Sequence, residues 1–327
     1  MAKKKSRTQP RKSKKKKGSP FLASVKRIFL WAFALVVCLI GVLFIYNYFD
    51  PASKNLSGNV QKEDKTESVP IPSKKTSRAS SKTTEAETKK QTSTYQFPAK
   101  AEIPQLRNKQ KEQVIRHEGY TVSYNSDYKI ANWVAYELTS GEAKSKQAER
   151  SNKFVSDPMV KGVSATNEDY TRTGFDRGHL APAGDMKWSA KAMRESFYLS
   201  NICPQKPGLN RGIWKDLEEQ ARLWAKEDGS LLIVTGPVIT DDMKRLGKNG
   251  VGVPKAFYKV ICAISGGTPQ AIGFLFDNKD YDKVTLKSMA ISVDSVEKMT
   301  GIDFFPALPD DVERRMEASV NWGSWSF

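Results

Sequence analysis

The stretch Thr173-Gly174-Phe175-Asp176-Arg177-Gly178-His179-Leu180-Ala181-Pro182 decides how the rest of this sequence is interpreted. It contains His179, one of only two histidines in 327 residues. Histidine is the side chain best suited to proton transfer near neutral pH. Arg177 places a phosphate-binding guanidinium close to it, and Gly178 permits close approach of another backbone. The grouping indicates phosphodiester chemistry, with His179 as the candidate general base.

Three polar runs follow in order: Asn201-Ile202-Cys203-Pro204-Gln205, then Leu209-Asn210-Arg211-Gly212-Ile213-Trp214, then Leu217-Glu218-Glu219. Together with the Asp-Arg-Gly-His run, they resemble the DNA/RNA non-specific endonucleases, a family of sugar-non-specific nucleases. The resemblance extends from Phe97 to Phe327. It implies an α+β fold of the ββα-metal, or His-Me finger, type, with a mainly antiparallel sheet flanked by helices.

The resemblance also implies roles for individual side chains. His179 would be the general base that activates water. Arg177 and Arg150 would neutralise phosphate oxygens, although Arg150 lies in an irregular polar loop, where a solvated surface arginine is the plain alternative.

A metal ion is implied as well. Asn210 would be the direct ligand of Mg²⁺, with Mn²⁺ as a substitute, because Mg²⁺ commonly keeps several waters beside one or two protein ligands. Glu218 and Asn201 would hold those waters, and Asn201 would also contact the substrate. The alternatives are that Asn210 only caps a helix and that Glu218 lies on a solvated helix face. Asp176 is expected to orient the loop rather than bind metal.

By this resemblance the substrates are DNA and RNA, cut internally to leave 5′-phosphate ends. Two alternatives remain. One is a membrane-tethered nucleic-acid-binding protein that has lost catalysis, which the intact Asp-Arg-Gly-His run and Asn210 disfavour. The other is a phosphodiesterase with another substrate. The sequence contains no P-loop and no G-x-G-x-x-G run, which disfavours nucleotide hydrolysis by those routes.

Net charge gives no support to a nuclease, although the chain carries a formal charge of +17. Residues 1–27 hold twelve Lys or Arg and no acidic residue, whereas 101–327 hold 31 basic and 30 acidic residues. The predicted catalytic region is therefore nearly neutral. Any phosphate binding must come from a local patch.

The first hundred residues divide into three predicted segments. Residues 1–27 form a basic tail, read as a topology signal, an anionic-lipid contact or a nucleic-acid arm. Residues 28–49 contain an uncharged apolar run long enough for an uncleaved transmembrane signal anchor. Residues 50–96 form a polar, disordered linker to the domain at 97–327. The positive-inside rule predicts a single-pass plasma-membrane protein with a cytoplasmic N-terminus and an extracytoplasmic nuclease domain.

Periodicity predicts the elements of the folded region. Residues 120–124 and 131–138 are typical of a β-hairpin, and 197–200, 231–235, 256–265 and 271–276 are typical of strands. A helix is predicted from Asn210 to Gly229, and a shorter one from a capping box at Asp294 to Gly301. His117 is interpreted as structural. Whether Cys203 and Cys262 pair is left open.

Overall fold

The computed structural model describes residues 95–265 and 267–327. The predicted basic tail, the membrane anchor and all but the last two residues of the linker lie outside these residues. The described part has an α+β fold with a mainly antiparallel sheet, in agreement with the predicted class.

The strands share one feature, which is that every pairing between them is antiparallel. They are Gln105–Leu106 (β1), Gln113–Arg116 (β2), Thr121–Asn125 (β3), Ile130–Thr139 (β4), Asp176–His179 (β5), Ile202–Gln205 (β6), Ser230–Pro237 (β7), Lys244–Leu246 (β8), Val251–Val253 (β9), Ala256–Ser265 (β10), Thr268–Asp277 (β11), Ala290–Ile291 (β12) and Ile302–Asp303 (β13).

Most of the helices are short. They are Ser140–Lys144 (α1), Asn167–Tyr170 (α2), Ala190–Glu195 (α3), Pro207–Asn210 (α4), Ile213–Asp228 (α5), Val293–Thr300 (α6) and Asp310–Glu317 (α7). Single 3₁₀ turns occupy Ala183–Met186, Leu199–Asn201, Leu286–Met289 and Trp322–Ser324.

Seven strands form the central sheet in the order β12-β11-β10-β7-β4-β3-β2. Both faces of this sheet are covered. Successive side chains of a strand point to opposite sides, so one strand contributes to both cores. Val134 and Tyr136 of β4 join a core that includes Trp214 of α5, whereas Trp133 and Ala135 join a second core that includes Val296 of α6. The two-stranded pair β5–β6 contributes to the first core through Ile202 and Cys203. The helix α5 and this pair thus lie on the same side of the sheet.

Most of the predicted strands are present, but the strand predicted at 197–200 is wrong. Helix α3 ends at Glu195, and the chain then makes a 3₁₀ turn in which Asn201 N donates to Tyr198 O at 2.9 Å. The strand that pairs with β5 begins only at Ile202. The apolar run at 197–200 reflects burial in a turn, which β propensity alone does not distinguish from a strand.

Two helices begin at residues other than those predicted. The long helix begins at Ile213 after Gly212, because Pro207–Asn210 forms a separate short helix with proline in its first turn. Helix α6 is capped by Ser292, whose side chain accepts from Ser295 N, and not by Asp294. Both predicted stops are confirmed, since Gly229 (φ 96°) and Gly301 (φ 67°) follow the two helices with positive φ.

Candidate active site

The stretch that contains His179 forms β5 and pairs with β6, so that Asp176 lies opposite Gln205 and His179 opposite Ile202. Helix α5 follows and is joined to β5 by a hydrogen bond from Trp214 Nε1 to His179 O at 3.3 Å. Gly178 is required here, because a Cβ on it would lie 2.0 Å from Oε1 of Gln205. Two strands and a helix thus assemble in the predicted order.

A cavity of about 360 Å³ opens beside these three elements. Five of the six residues singled out from the sequence line it, namely Arg150, Arg177, His179, Asn210 and Glu218. Further cationic side chains in its wall are Arg211, Lys215 and Arg222. The cavity therefore combines a base, oxygen ligands and positive charge.

His179 is 8% exposed and lies against two aromatic rings, with ring-centroid distances of 5.4 Å to Phe154 and 4.8 Å to Phe197. Its Nε2 is buried and has no hydrogen-bond partner among the described residues. Burial, and secondarily the charge of Arg150, lowers the pKa of His179 to about 3. This value lies well below the ordinary imidazole pKa of 6.5. The imidazole is therefore neutral across the ordinary pH range, which is the protonation state that a general base requires.

The two arginines approach the cavity differently. Arg150 is exposed, stacks its guanidinium 5.1 Å from the centre of the Phe197 ring, and donates from Nε to Asn152 Oδ1 at 2.8 Å. Arg177 is held more firmly, because its Nη2 donates to Asn167 O at 2.8 Å and its guanidinium lies 5.6 Å from the Tyr170 ring. Both arginines line the cavity that contains His179.

Asn210 is oriented by Asp176. Its Nδ2 donates to Asp176 Oδ2 at 3.0 Å, and Arg211 makes two further hydrogen bonds to the same carboxylate at 2.6 and 2.7 Å. Burial alone would raise the pKa of Asp176, but the hydrogen bonds from Arg211 and Asn210 outweigh it and lower that pKa. Asp176 is thus an ionised clamp, which agrees with its predicted orienting role.

The capping alternative for Asn210 does not hold. Asn210 is the last residue of α4, and the residue that precedes α5 is Gly212, with no side-chain cap. The amide nitrogen of Asn210 donates to Asp176, whereas its Oδ1 has no donor among the described residues. A neutral oxygen held in this way is a suitable ligand for a hard cation.

Glu218 lies half-buried on α5, and burial raises the pKa of its carboxyl to about 7 even though Lys259 acts in the opposite direction. Lys259 is 1% exposed, donates to Leu180 O at 3.4 Å and lies 5.0 Å from the Trp214 ring. Burial lowers the pKa of Lys259 to about 8, opposed by Glu218. Because Glu218 is half-buried and lines the cavity, the alternative that it lies on a solvated helix face is excluded.

Two features near the cavity were not predicted from the sequence. One is Lys259, and the other is a hydrogen-bonded group of Arg222, Asp185 and Tyr136. Arg222 Nη1 donates to Asp185 Oδ1 at 2.7 Å, and Tyr136 OH donates to Asp185 Oδ2 at 2.8 Å. Two signals were present in the sequence. Arg222 follows Glu218 by one helical turn, and Lys259 interrupts an otherwise apolar strand.

Asn201 is the one predicted site residue that the structure does not bring into the cavity. It is fully buried, and its amide is committed to the backbone: Oδ1 accepts from Ala181 N at 2.9 Å, and Nδ2 donates to Ala181 O and to Ser196 O at 2.9 and 2.8 Å. Asn201 thereby fixes the chain immediately after His179.

The remaining chemical groups considered from the sequence lie elsewhere. His117 is buried with Nε2 2.9 Å from Asp157 Oδ2, outside the cavity. Cys203 and Cys262 are both buried and free, so they do not pair. Burial raises the pKa of each thiol strongly, which leaves neither as a nucleophile.

Comparison with known proteins agrees with this geometry. The family model described as DNA/RNA non-specific endonuclease matches residues 97–311. The chain is 38% identical over 211 residues to the mitochondrial nuclease EXOG of Danio rerio, and 33% identical over 207 residues to the mitochondrial endonuclease G of Homo sapiens. These alignments each cover 59% of this chain, and they cover 60% and 70% of the two relatives.

A fungal relative and a solved structure are also similar. Nuclease C1 of Cunninghamella echinulata is 35% identical over 209 residues, which are 59% of this chain and 83% of that protein. The crystal structure of an EndoG/EndoGI complex contains a chain with a TM-score of 0.59 and 30% identity, covering 64% of this chain and 91% of that one. The resemblance predicted from the motifs is therefore confirmed.

The predicted location at the plasma membrane is contradicted by these comparisons. The EXOG and endonuclease G relatives are named as mitochondrial proteins. Within residues 95–265 and 267–327, no helix combines the length and apolar character needed to span a membrane. The segment predicted as the anchor, 28–49, lies outside the described residues.

Proposed function

Because the chain belongs to the DNA/RNA non-specific endonuclease family, a divalent-metal-dependent family, we propose that it is a Mg²⁺-dependent endonuclease acting on DNA and RNA. The proposed reaction is hydrolysis of internal phosphodiester bonds with little sequence preference, leaving 5′-phosphate ends. The observation that carries the proposal is the convergence of His179, Asn210 and Glu218 in one cavity with several arginines.

The residues present fit a hard divalent cation. Asn210 offers Oδ1, which has no donor among the described residues, and its amide is held in place by Asp176. Glu218 lines the same cavity and would hold metal-bound waters. Such a sparse ligand set suits Mg²⁺, and Mn²⁺ as a substitute, because these ions retain several waters. When bound, the ion supplies positive charge against the phosphate and the departing 3′ oxygen.

His179 is the proposed general base. Its neutral imidazole is kept in one place by the rings of Phe154 and Phe197, and it takes a proton from the attacking water. Trp214 binds the carbonyl of His179 and Asn201 binds the backbone of Ala181, so the chain that carries the ring is held in place. We assign Asn201 this positioning role in place of a substrate contact.

Arg150 and Arg177 are the proposed phosphate contacts. A guanidinium presents several donors to phosphate oxygens, and such contacts position a nucleic acid without reading its bases. Arg177 is preorganised by Asn167, whereas Arg150 is exposed and free to adapt to the strand. Because DNA and RNA share the phosphates that these arginines would contact, the pair supports activity on both polymers.

The proposed catalytic domain is 97–327. The divisions at 1–27, 28–49 and 50–96 stay predictions. Of the two alternatives, the inactive binding protein is disfavoured because the proposed base and the proposed metal ligand line one cavity, and Asp176 orients the latter. A phosphodiesterase with another substrate is tested directly by the substrate comparison below.

The test is incubation of the purified full-length chain with plasmid DNA and with RNA, with Mg²⁺ and with EDTA. A His179→Ala preparation made in parallel controls for contaminating nucleases. We expect Mg²⁺-dependent nicking and linearisation of the plasmid, degradation of RNA and 5′-phosphate ends. Absence of cleavage of both polymers under these conditions would refute the proposal.

A further inference from the structure

A second cleft, of about 410 Å³, adjoins the catalytic cavity. Gly184 and Arg222 line both, so the two clefts are neighbours that share part of their walls. A Cβ on Gly184 would lie 2.7 Å from Arg222 Nη1, which shows how closely the 3₁₀ turn and α5 approach at the junction. The remaining wall comes from the end of α1, the loop after it and the second half of α5.

Four lysines line this second cleft: Lys144, Lys146, Lys187 and Lys226. We call it the lysine cleft. All four are exposed, none forms an ion pair within residues 95–265 and 267–327, and no Asp or Glu lines the cleft. In a region that carries 31 basic and 30 acidic residues, this is a local excess of unpaired positive charge.

Three cations of the catalytic cavity are instead paired with carboxylates. Arg211 is paired with Asp176, Lys215 with Glu219 and Arg222 with Asp185. Their carboxylate partners restrain these side chains, most of all Arg222, whose partner Asp185 is buried. The lysines of the cleft are flexible point charges, which suit successive phosphates of a polyanion whose exact conformation varies.

We propose that the lysine cleft binds the phosphate backbone of the nucleic acid beside the scissile phosphate. This inference rests on the proposed function and adds a direction to it, since the strand leaves the catalytic cavity past Gly184 and Arg222 and continues along the cleft. The ligand class is a nucleic-acid polymer several phosphates long. Binding there is independent of base sequence and weakens steeply with salt.

The first test measures binding without catalysis. Full-length His179→Ala protein in EDTA is titrated against a fluorescent 20-base-pair duplex at several salt concentrations. The cleft variant adds Lys144→Gln, Lys146→Gln, Lys187→Gln and Lys226→Gln. The matched control adds Lys109→Gln, Lys111→Gln, Lys248→Gln and Lys283→Gln, which remove the same charge from exposed lysines outside both cavities. Thermal unfolding checks that both variants are folded.

We expect the cleft variant to bind roughly tenfold or more weakly near 0.15 M salt, with the salt slope reduced by about 0.9 for each lysine that neutralises a phosphate. The control variant is expected to change less than twofold. Equal loss in both variants, or an unchanged dissociation constant and slope in the cleft variant, would overturn the inference.

The second test restores His179 and compares steady-state constants on plasmid DNA. An effect of the cleft on substrate binding raises KM and leaves kcat within about twofold. If the unmodified chain cleaves no nucleic acid, the proposed function fails whatever the binding data show. If it cleaves normally and the cleft variant matches it in both KM and duplex affinity, only the present inference fails.

Discussion

The two histidines of this chain both lie against aromatic rings, but they differ in what their Nε2 atoms contact. His117 lies with Nε2 2.9 Å from Asp157 Oδ2, and Ser200 Oγ donates to the same oxygen at 2.6 Å. His179 has aromatic rings and an arginine around it, and its buried Nε2 has no partner among the described residues. The comparison teaches that a histidine tied to a buried carboxylate through Nε2 stabilises a fold, whereas one whose Nε2 is left unpaired beside a polar cavity is available for chemistry.

The largest expected effect comes from His179→Ala. Removal of the proposed base lowers kcat by roughly 10²–10⁴-fold, the usual contribution of a positioned proton acceptor. Metal affinity and duplex affinity change little, because neither ligand set includes the imidazole. Steady-state kinetics and anisotropy measure the two quantities, and near-normal turnover would end the distinction between the two histidines.

Asn210→Ala is expected to have the next largest effect. Loss of the proposed ligand lowers metal affinity by at least the roughly 10–100-fold that loss of an outer-shell partner costs. The fold is retained, since Asn210 caps no helix. A Mg²⁺ titration of activity, with calorimetry of metal binding, checks this. An unchanged Mg²⁺ midpoint would remove Asn210 from the metal site.

Glu218→Gln tests the state of His179 through the pH dependence of activity. The raised pKa of Glu218, about 7, means that its carboxylate takes up a proton as pH falls through that value, and kcat/KM should fall with it. His179 stays neutral until about pH 3 and adds no step near 6.5. In Glu218→Gln the fall in activity below about pH 7 should therefore be lost. A surviving step near 6.5 would show that His179 titrates normally.

His117→Ala should have the smallest effect on turnover, within about twofold of the unmodified chain. Its cost falls on stability, because Asp157 loses a hydrogen-bond partner in a buried site, a loss of roughly 1–3 kcal/mol or more for a charged group. Burial alone would raise the pKa of Asp157, but the hydrogen bonds from His117 and Ser200 lower it. Calorimetry should show a melting temperature several degrees lower. Loss of activity in a fully folded protein would contradict the structural role.

Much of the fold was predictable from periodicity. The largely apolar runs within 120–138 and 256–276 form strands of a sheet that is covered on both faces. Gly229 and Gly301 end their helices as predicted. The errors arose where local pattern was ambiguous. Residues 197–200 are as apolar as a strand yet lie in a turn.

The site was partly predictable because its motif residues lie on adjacent elements. What the sequence does not show is where a side chain points. Asn201 belongs to the motif but turns inward to Ala181, and Lys259 reaches the site from a strand about 40 residues beyond Glu218. The lysine cleft escaped prediction for the same reason, since its four lysines come from three separate stretches of sequence.

Strand β5 has a consequence for how the gene tolerates change. Within four consecutive residues, Asp176 clamps Asn210, Arg177 lines the cavity, Gly178 leaves space for Gln205, and His179 is the proposed base. No position in this strand is a spacer, so a scan of every substitution should find four adjacent intolerant codons. Val163, which is 62% exposed in the loop before the strand, should accept most replacements. Selection for altered substrate range would then act on the loops around the strand and leave the strand itself unchanged.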